Sequence, residues 1–415
     1  MNLHLLKTDK INEGVTLQLP GSKSESNRFL ILQTLYPNLR AKHVSDSDDS
    51  RVLIKALDAI KKSGKVRVNI GHAGTAMRFL TAFCAALEGV EVILEGSERM
   101  HQRPIEVLVE ALKELGADID YLHHHGYPPL LIRGRKLTGR KVSMDAGISS
   151  QYLTALLLIA PGLPNGLEIE LRTPLTSRSY VEMTVSLLKK IGITTDFKED
   201  TIKVFPQEVI PELTHTIESD WSALSYYYSL LALLPQGRIH FQSFYPNSLQ
   251  GDAVLPEIYN LLGVETSFEE KTQTLTLTRK TTVLPEELRL DLNNTPDVAQ
   301  TVAVTCFGLG LKCELSGLHT LKIKETDRLK AMETELRKMG AMVKATSHSL
   351  HLESGNKLIP NVEIDTYDDH RMAMAFAPLA AKTSLVIRNS HVVSKSYPDF
   401  WQHFQKLGIQ LEVIP

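Results

Sequence analysis

Residues 335–345 read ELRKMGAMVKA. Leu336 and Met339 stand three apart, as on one face of a helix, with charged residues between them. Gly340 follows, at a helix C-terminus where the chain must turn with positive φ. A short strand-like run closes the stretch. The same order of helix end, glycine and strand recurs in LDAIKKSGKVRV at Gly64, ALKELGADID at Gly116 and LLKKIGITTDF at Gly192. It appears again in IYNLLGVETSF at Gly263 and FQKLGIQLEVI at Gly408. Six copies, at irregular intervals of roughly 50 to 80 residues, mark a repeated structural unit too long and too variable for a solenoid.

A second set of six segments interleaves with the first: SESNRFLILQTL, AGTAMRFLTAFCAAL, ISSQYLTALLLIA, SDWSALSYYYSLLALL, TPDVAQTVAVTCFGL and DDHRMAMAFAPLAA. These are apolar nearly all round, so each is expected as a buried helix. Each opens on a polar cluster that supplies an expected N-cap: Ser24, Thr75, Ser149, Ser219, Thr295 or Asp368. One buried and one amphipathic helix with strands between make a unit; three units make a domain of about 200 residues, and two domains fill the chain. Polar residues gather only where the buried helices begin. Helix N-termini carry free N–H groups and about half a positive charge, so several of them facing one cleft would trap anions.

The chain has 415 residues, 43% hydrophobic and 23% charged, with 46 basic against 48 acidic side chains. The net charge of −2 leaves no global field for nucleic acid or an anionic membrane, so neither is expected as a partner. Cys84, Cys306 and Cys313 show no CxxC spacing and are expected as reduced core thiols. No apolar run reaches the roughly 18 residues of a membrane helix, and MNLHLLKTDK is too short in apolar residues for a secretion signal. A cytoplasmic monomer is expected.

The chemistry lies in a few clusters. PGSKSESNR (20–28) puts Lys23, Ser24 and Arg28 around one helix start, and AGTAMRFL (73–80) sets Gly74 and Arg78 around another. SERMHQRPI holds Arg99 and Arg103, and ISSQYL brings Ser149, Ser150 and Gln151 to a third start. KIKETDRLKAM gathers Lys324, Glu325, Asp327 and Arg328. DDHRMAMAFAP places His370 and Arg371 at the mouth of a buried helix, where an unpaired charge is expensive. GxxxxGK[ST], GxGxxG and HExxH are absent, His123, His124 and His125 read as a loop, and no metal-ligand spacing stands out. No metal or organic cofactor is expected.

PGSKSESNR, AGTAMRFL, ISSQYL, TPDVAQT, KETDRL, DDHRMAMAFA and SKSYPDF, in this order, resemble the EPSP synthase family (3-phosphoshikimate 1-carboxyvinyltransferases) over nearly the whole chain. The resemblance implies an α/β fold, a two-domain inside-out α/β barrel of six βαβαββ repeats, three per domain, around buried parallel helices. It implies a discontinuous first domain, 1–20 with 218–415, and a second domain, 21–217, with the active site in the cleft between them. The activity implied is transfer of the enolpyruvyl group of phosphoenolpyruvate to the 5-hydroxyl of shikimate 3-phosphate, with phosphate released, in the shikimate pathway.

Residue roles follow from the resemblance position by position. Lys23, Ser24, Arg28, Ser149, Ser150, Gln151 and Ser177 would bind shikimate 3-phosphate, with Tyr180 nearby. Asp297 and Lys324 would hold its ring hydroxyls, and Thr320 stands at a further contact where asparagine is frequent. Gly74, Arg103, Arg328, Arg371 and Lys395, with Lys23 and Gln151, would hold phosphoenolpyruvate. That site is also where glyphosate would compete. Asp297 and Glu325 would move protons, with Lys23 a further acid. His72 and Phe79 depart from the asparagine and proline usual in the family around AGT.

Two other readings compete. A UDP-N-acetylglucosamine enolpyruvyl transferase would share the repeats but needs a reactive cysteine in a mobile loop and asparagine after the lysine, where this chain has Ser24. A non-catalytic anion-binding protein of the same fold would not favour carboxylates beside its anion clusters.

Overall fold

The computed structural model describes residues 1–147, 149–355 and 357–414. The chain divides into two compact units, Met1–Gly21 with Glu218–Pro415, and Ser22–Ile217. Each has its own apolar core.

The repeat is plainest in Ser22–Ile217. Strand Lys65–Asn69 leads through a buried helix to Glu91–Glu95, which lies parallel to it. The amphipathic helix Glu106–Glu114 follows, then the antiparallel pair Asp118–Tyr121 and Leu130–Arg133, with Leu130–Arg133 seated against Glu91–Glu95. The same order builds the sheet from Lys141–Met144 to Thr201–Val204. It recurs in the other unit from Glu287–Asp291 to Leu350–Leu352.

Two further sheets borrow a strand from the chain's first residues. Thr16–Leu17 pairs with Arg238–Gln242, and Asn2–Leu5 lies between Leu385–Ile387 and Leu411–Ile414. The sixth copy is shortened. Among the described residues it keeps only Leu39–Lys42 and Leu213–Thr216, paired in parallel. After helix Asp48–Ser63 the chain turns at Gly64 straight into Lys65–Asn69, the first strand of the next copy, so no residues remain for a hairpin.

All six repeat glycines hold positive φ: Gly64 67°, Gly116 104°, Gly192 91°, Gly263 80°, Gly340 98° and Gly408 94°. Behind Gly116, Gly192, Gly340 and Gly408 the next amide reaches back five residues, as from Ala341 N to Leu336 O at 3.0 Å. These bonds satisfy carbonyls that the helix end would leave open.

The buried helices are α1 (Lys23–Leu35), α2 (Gly74–Ala86), α3 (Ser150–Ile159), α4 (Trp221–Leu233), α5 (Ala299–Leu309) and α6 (His370–Phe376). Nearly every residue of α2–α6 is buried. Each fully buried leucine, such as Leu153, Leu156 and Leu157 of α3, contributes about 1.5–3 kcal/mol. In α1 the buried set includes Glu25, Ser26, Asn27 and Arg28 as well as Phe29, Ile31 and Leu32.

Of the expected caps, Ser149 caps α3 by accepting from Gln151 N at 3.3 Å. The others are corrected. Ser22, not Ser24, caps α1; Asp220, not Ser219, caps α4; and Asp369, not Asp368, caps α6. Asp220 and Asp369 have the extended backbone a cap needs, whereas Asp368 sits at φ 53°; the Ser219 hydroxyl, one residue earlier than Asp220, donates to the Gln242 carbonyl at 2.9 Å. No side chain caps α2, which follows Ala73. Thr295 opens the 3₁₀ turn Pro296–Val298 ahead of α5 without a capping bond, and its hydroxyl donates to Asp252 Oδ1 at 2.5 Å.

Candidate active site

The polar residues do gather where buried helices begin, and each unit carries its own cluster. In the unit that includes α4–α6, the centre is Arg328, which is buried. Asp327 caps its helix, Arg328–Lys338, by accepting from Lys330 N. The guanidinium then reaches Asp369 Oδ2 at 2.6 Å, Glu325 Oε2 at 2.8 Å and Asp297 Oδ1 at 3.1 Å. Burial by itself would lower the Arg328 pKa, but Asp369, Glu325 and Asp297 outweigh it and raise it above the usual value.

Asp297 is shared among cations. Its Oδ2 accepts from Arg371 Nη2 at 2.7 Å, and its Oδ1 faces Arg328 and, at 3.7 Å, Lys324 Nζ. Arg371 also donates to the Asp297 carbonyl at 3.0 Å. Behind this lies Asp252, which accepts from Ser222 and Thr295. Burial, with the nearby Asp297 charge, pushes its carboxyl up to about 6. Lys395 Nζ donates to the Asp368 carbonyl at 2.5 Å, and the Thr320 hydroxyl is buried with no hydrogen-bond partner among the described residues. Charge is thus finely divided here: carboxylates that can take or give a proton are interleaved with cations that fix them.

The cluster in Ser22–Ile217 is different in kind. Arg28, one turn into α1, is buried and held by neutral oxygens: Thr184 Oγ1 at 2.8 Å, the Ser24 carbonyl at 2.7 Å, Tyr180 O at 3.1 Å and Thr154 Oγ1 at 3.3 Å. The rings of Phe79 and Tyr180 stand 5.7 and 5.9 Å from its Cζ. Burial lowers its pKa to about 10. Arg78 is likewise buried and donates to the Gly74 and Pro104 carbonyls, at 3.3 and 2.8 Å. Arg103 Nε is buried without a hydrogen-bond partner among the described residues.

Gly74 explains where Arg103 lies. With no Cβ on Gly74, the guanidinium of Arg103 lies close against its backbone, with Cζ and Nη2 each 2.8 Å from where a Cβ would stand. The two form one surface at the uncapped start of α2. Gln151 Nε2 donates to Thr75 Oγ1 at 3.4 Å, tying the start of α3 to that of α2. Ser149 and Ser150 begin α3, and Ser177 precedes helix Arg178–Lys190 in a left-handed conformation, φ 52°. A non-glycine residue held there stores strain of a kind that clusters at functional sites. Lys23 Nζ lies 3.3 Å from Asp49 Oδ2. Of the two departures flanking this turn, Phe79 stacks on Arg28 and His72 Nδ1 bonds Ser97 Oγ at 3.0 Å.

So the structure brings Asp297, Lys324, Glu325, Arg328 and Arg371 into one cluster, and sets Gly74 against Arg103 and Gln151 against Thr75. Sequence reading missed Asp49, Ser222, Asp252 and Asp369. Only Asp369 had a signal, as the second acid of DDHR; the rest meet their partners through the fold.

A family model described as EPSP synthase (3-phosphoshikimate 1-carboxyvinyltransferase) matches residues 34–404. A protein of Bacteroides fragilis (strain YCH46) named 3-phosphoshikimate 1-carboxyvinyltransferase is 42% identical over 402 residues, covering 96% of each chain. One of that name from Mannheimia haemolytica is 34% identical over 425 residues, covering 95% of this chain and 96% of its own. Among solved structures, an EPSP synthase from Acinetobacter baumannii superposes over the whole of both chains with a TM-score of 0.80 at 19% identity. The enolpyruvyl transferase NikO from Streptomyces tendae gives 0.74 at 14% identity, over 99% of this chain and 98% of its own. At those identities the solved structures speak for the fold alone. The family match and the relatives' identity go further: this chain belongs to the EPSP synthase family.

Proposed function

We propose that this enzyme transfers the enolpyruvyl group of phosphoenolpyruvate to the 5-hydroxyl of shikimate 3-phosphate and releases phosphate. The observation that carries the mechanism is the arrangement of Asp297 and Glu325 on one buried arginine, Arg328, within a family whose members bear this activity. In the first stage the 5-oxygen adds to the carbon that bears the phosphate, as it gives up its proton and the methylene carbon gains one. In the second stage a methyl proton leaves, the double bond re-forms and phosphate departs. Asp297 and Glu325 are the proton carriers, with Lys23 a further acid. Arg103, Arg328, Arg371 and Lys395 hold the phosphoenolpyruvate anion, arginine being suited to bidentate contact with carboxylate and phosphate. Lys23, Ser24, Arg28, Ser149, Ser150, Gln151 and Ser177 hold shikimate 3-phosphate, with Thr320 and Lys324. In this reading each ligand set draws residues from both units, and the protein acts as a cytoplasmic monomer.

The rival acceptor is disfavoured by the cysteines. Cys84, Cys306 and Cys313 are all buried, and burial pushes the Cys84 thiol up to about 12. A buried, protonated thiol is a poor nucleophile or acid. The deciding experiment is phosphate release from phosphoenolpyruvate with each acceptor in turn. Release is expected with shikimate 3-phosphate and not with UDP-N-acetylglucosamine. The opposite pattern, or no release with either, overturns the reading.

A further inference from the structure

The first two turns of α1 carry Lys23, Ser24 and Arg28, and between Ser24 and Arg28 stand three consecutive polar residues, Glu25, Ser26 and Asn27, all buried. Each is tied to a different segment. Ser26 Oγ accepts from Ser45 N at 2.9 Å, and Asn27 Oδ1 accepts from Ser50 Oγ at 2.7 Å. Glu25 Oε1 accepts from His215 Nε2 at 2.6 Å, with both side chains 3% exposed. His215 belongs to strand Leu213–Thr216, and its ring lies 5.0 Å from that of Phe29. That strand pairs with Leu39–Lys42, so it is a fixed part of the sheet.

A glutamate at this place needs a reason. It puts negative charge inside the turn proposed to hold an anion, where it would repel the substrate. A buried carboxylate is also costly unless hydrogen-bonded to a donor. The His215 N–H supplies that bond, at 2.6 Å. An apolar side chain would fill the space at less cost but would let the turn slide. Directional polar contacts fix one register.

The geometry points to Glu25 and His215 as a positioning pair that sets Lys23 and Ser24, and through the Ser24 carbonyl Arg28, at the spacing that shikimate 3-phosphate requires. The inference rests on the proposed function. Neither residue touches the substrate in this reading, so they act through the turn.

The test uses the full chain. His215→Leu removes the donor; His215→Gln keeps an N–H that can reach Glu25; Glu25→Gln keeps an acceptor without the charge. Loss of a hydrogen bond to a charged group predicts a rise of at least about tenfold in the Michaelis constant for shikimate 3-phosphate in His215→Leu. The constant for phosphoenolpyruvate, which only Lys23 of this turn would also contact, should rise by a clearly smaller factor. His215→Gln should recover most of the loss, and Glu25→Gln should fall between. Equal shifts in both constants, or no rescue by His215→Gln, would overturn the pair's positioning role. Hydrogen exchange of residues 22–29 gives a readout free of substrate: exchange there should quicken in Glu25→Gln while the amides of α3 keep wild-type rates. Unchanged exchange in that segment counts against the inference even if wild-type turnover with shikimate 3-phosphate is absent, which would separately sink the proposed function.

Discussion

At the scale of single residues, Asp297 and Asp252 make different predictions although both are aspartates of one cluster. Asp297→Asn should preserve the fold. Arg328 keeps Asp369 and Glu325, and Arg371 keeps its bond to the 297 carbonyl. Turnover should fall at least about 100-fold, the lower end of acid–base effects, with weaker loss of shikimate 3-phosphate binding. A variant with near-normal turnover would remove Asp297 from the proton path. Asp252 bears on stability. Its carboxyl is raised from 3.8 to about 6 in the folded protein. A group so raised contributes stability that is fully present below the unfolded pKa and lost as pH rises through the folded one. Asp252→Asn should therefore gain on the wild type between about pH 4 and 6, by up to about 3 kcal/mol, and stay level above that. Urea midpoints of both proteins across that range would show it, and parallel profiles would refute it. Asp297 entered through the family resemblance that TPDVAQT helps to carry, not through a local signal of its own. Asp252 was legible in neither way, since Ser222 and Thr295 reach it from 30 and 43 residues away.

At the scale of elements, the helix ends were legible and the helix starts were not quite. A glycine after an amphipathic pattern allows one conformation at low cost, so all six positive-φ turns could be read directly. Several polar residues in a row can each serve as a cap, and the backbone of the preceding segment selects among them; hence the shifts to Ser22, Asp220 and Asp369. The uncapped start of α2 carries the next prediction. In Gly74→Ala the new methyl would meet the Arg103 guanidinium, which must move. By analogy with overpacked cores, about 1–3 kcal/mol, the Michaelis constant for phosphoenolpyruvate should rise roughly 5- to 150-fold. Glyphosate, longer than that substrate, should lose more. If the inhibition constant and the Michaelis constant move by one common factor, or neither moves, Gly74 and Arg103 do not line that site.

At the scale of the molecule, the repeat was readable but its one short copy was passed over. Gly64 and Gly116 lie 52 residues apart, while every other interval between these glycines is 68 or more. The deficit is the hairpin that the first copy lacks. Charge divides between the units in a way no composition reveals. Arg328 is matched by carboxylates, whereas the donors of Arg28 and Arg78 go to neutral acceptors. Anions should therefore stabilise the protein chiefly through Ser22–Ile217. Shikimate 3-phosphate at 100 times its dissociation constant should add about 2.7 kcal/mol, seen as a raised melting temperature. Because the proposed ligands come from both units, the same addition should reduce the radius of gyration in small-angle scattering. A constant radius with a raised melting temperature would confine binding to one unit.

The strand Asn2–Leu5, seated between Leu385–Ile387 and Leu411–Ile414, has a consequence for synthesis on the ribosome. Ser22–Ile217 has all its strands in hand once residue 217 has emerged. The first strand, with Leu3 and Leu5 destined for the core, must wait for partners translated some 380 residues later. Until then its apolar side chains and open edge are exposed, a state that invites wrong pairing. The nascent chain thus completes Ser22–Ile217 before the strand Asn2–Leu5, made earlier, finds its place.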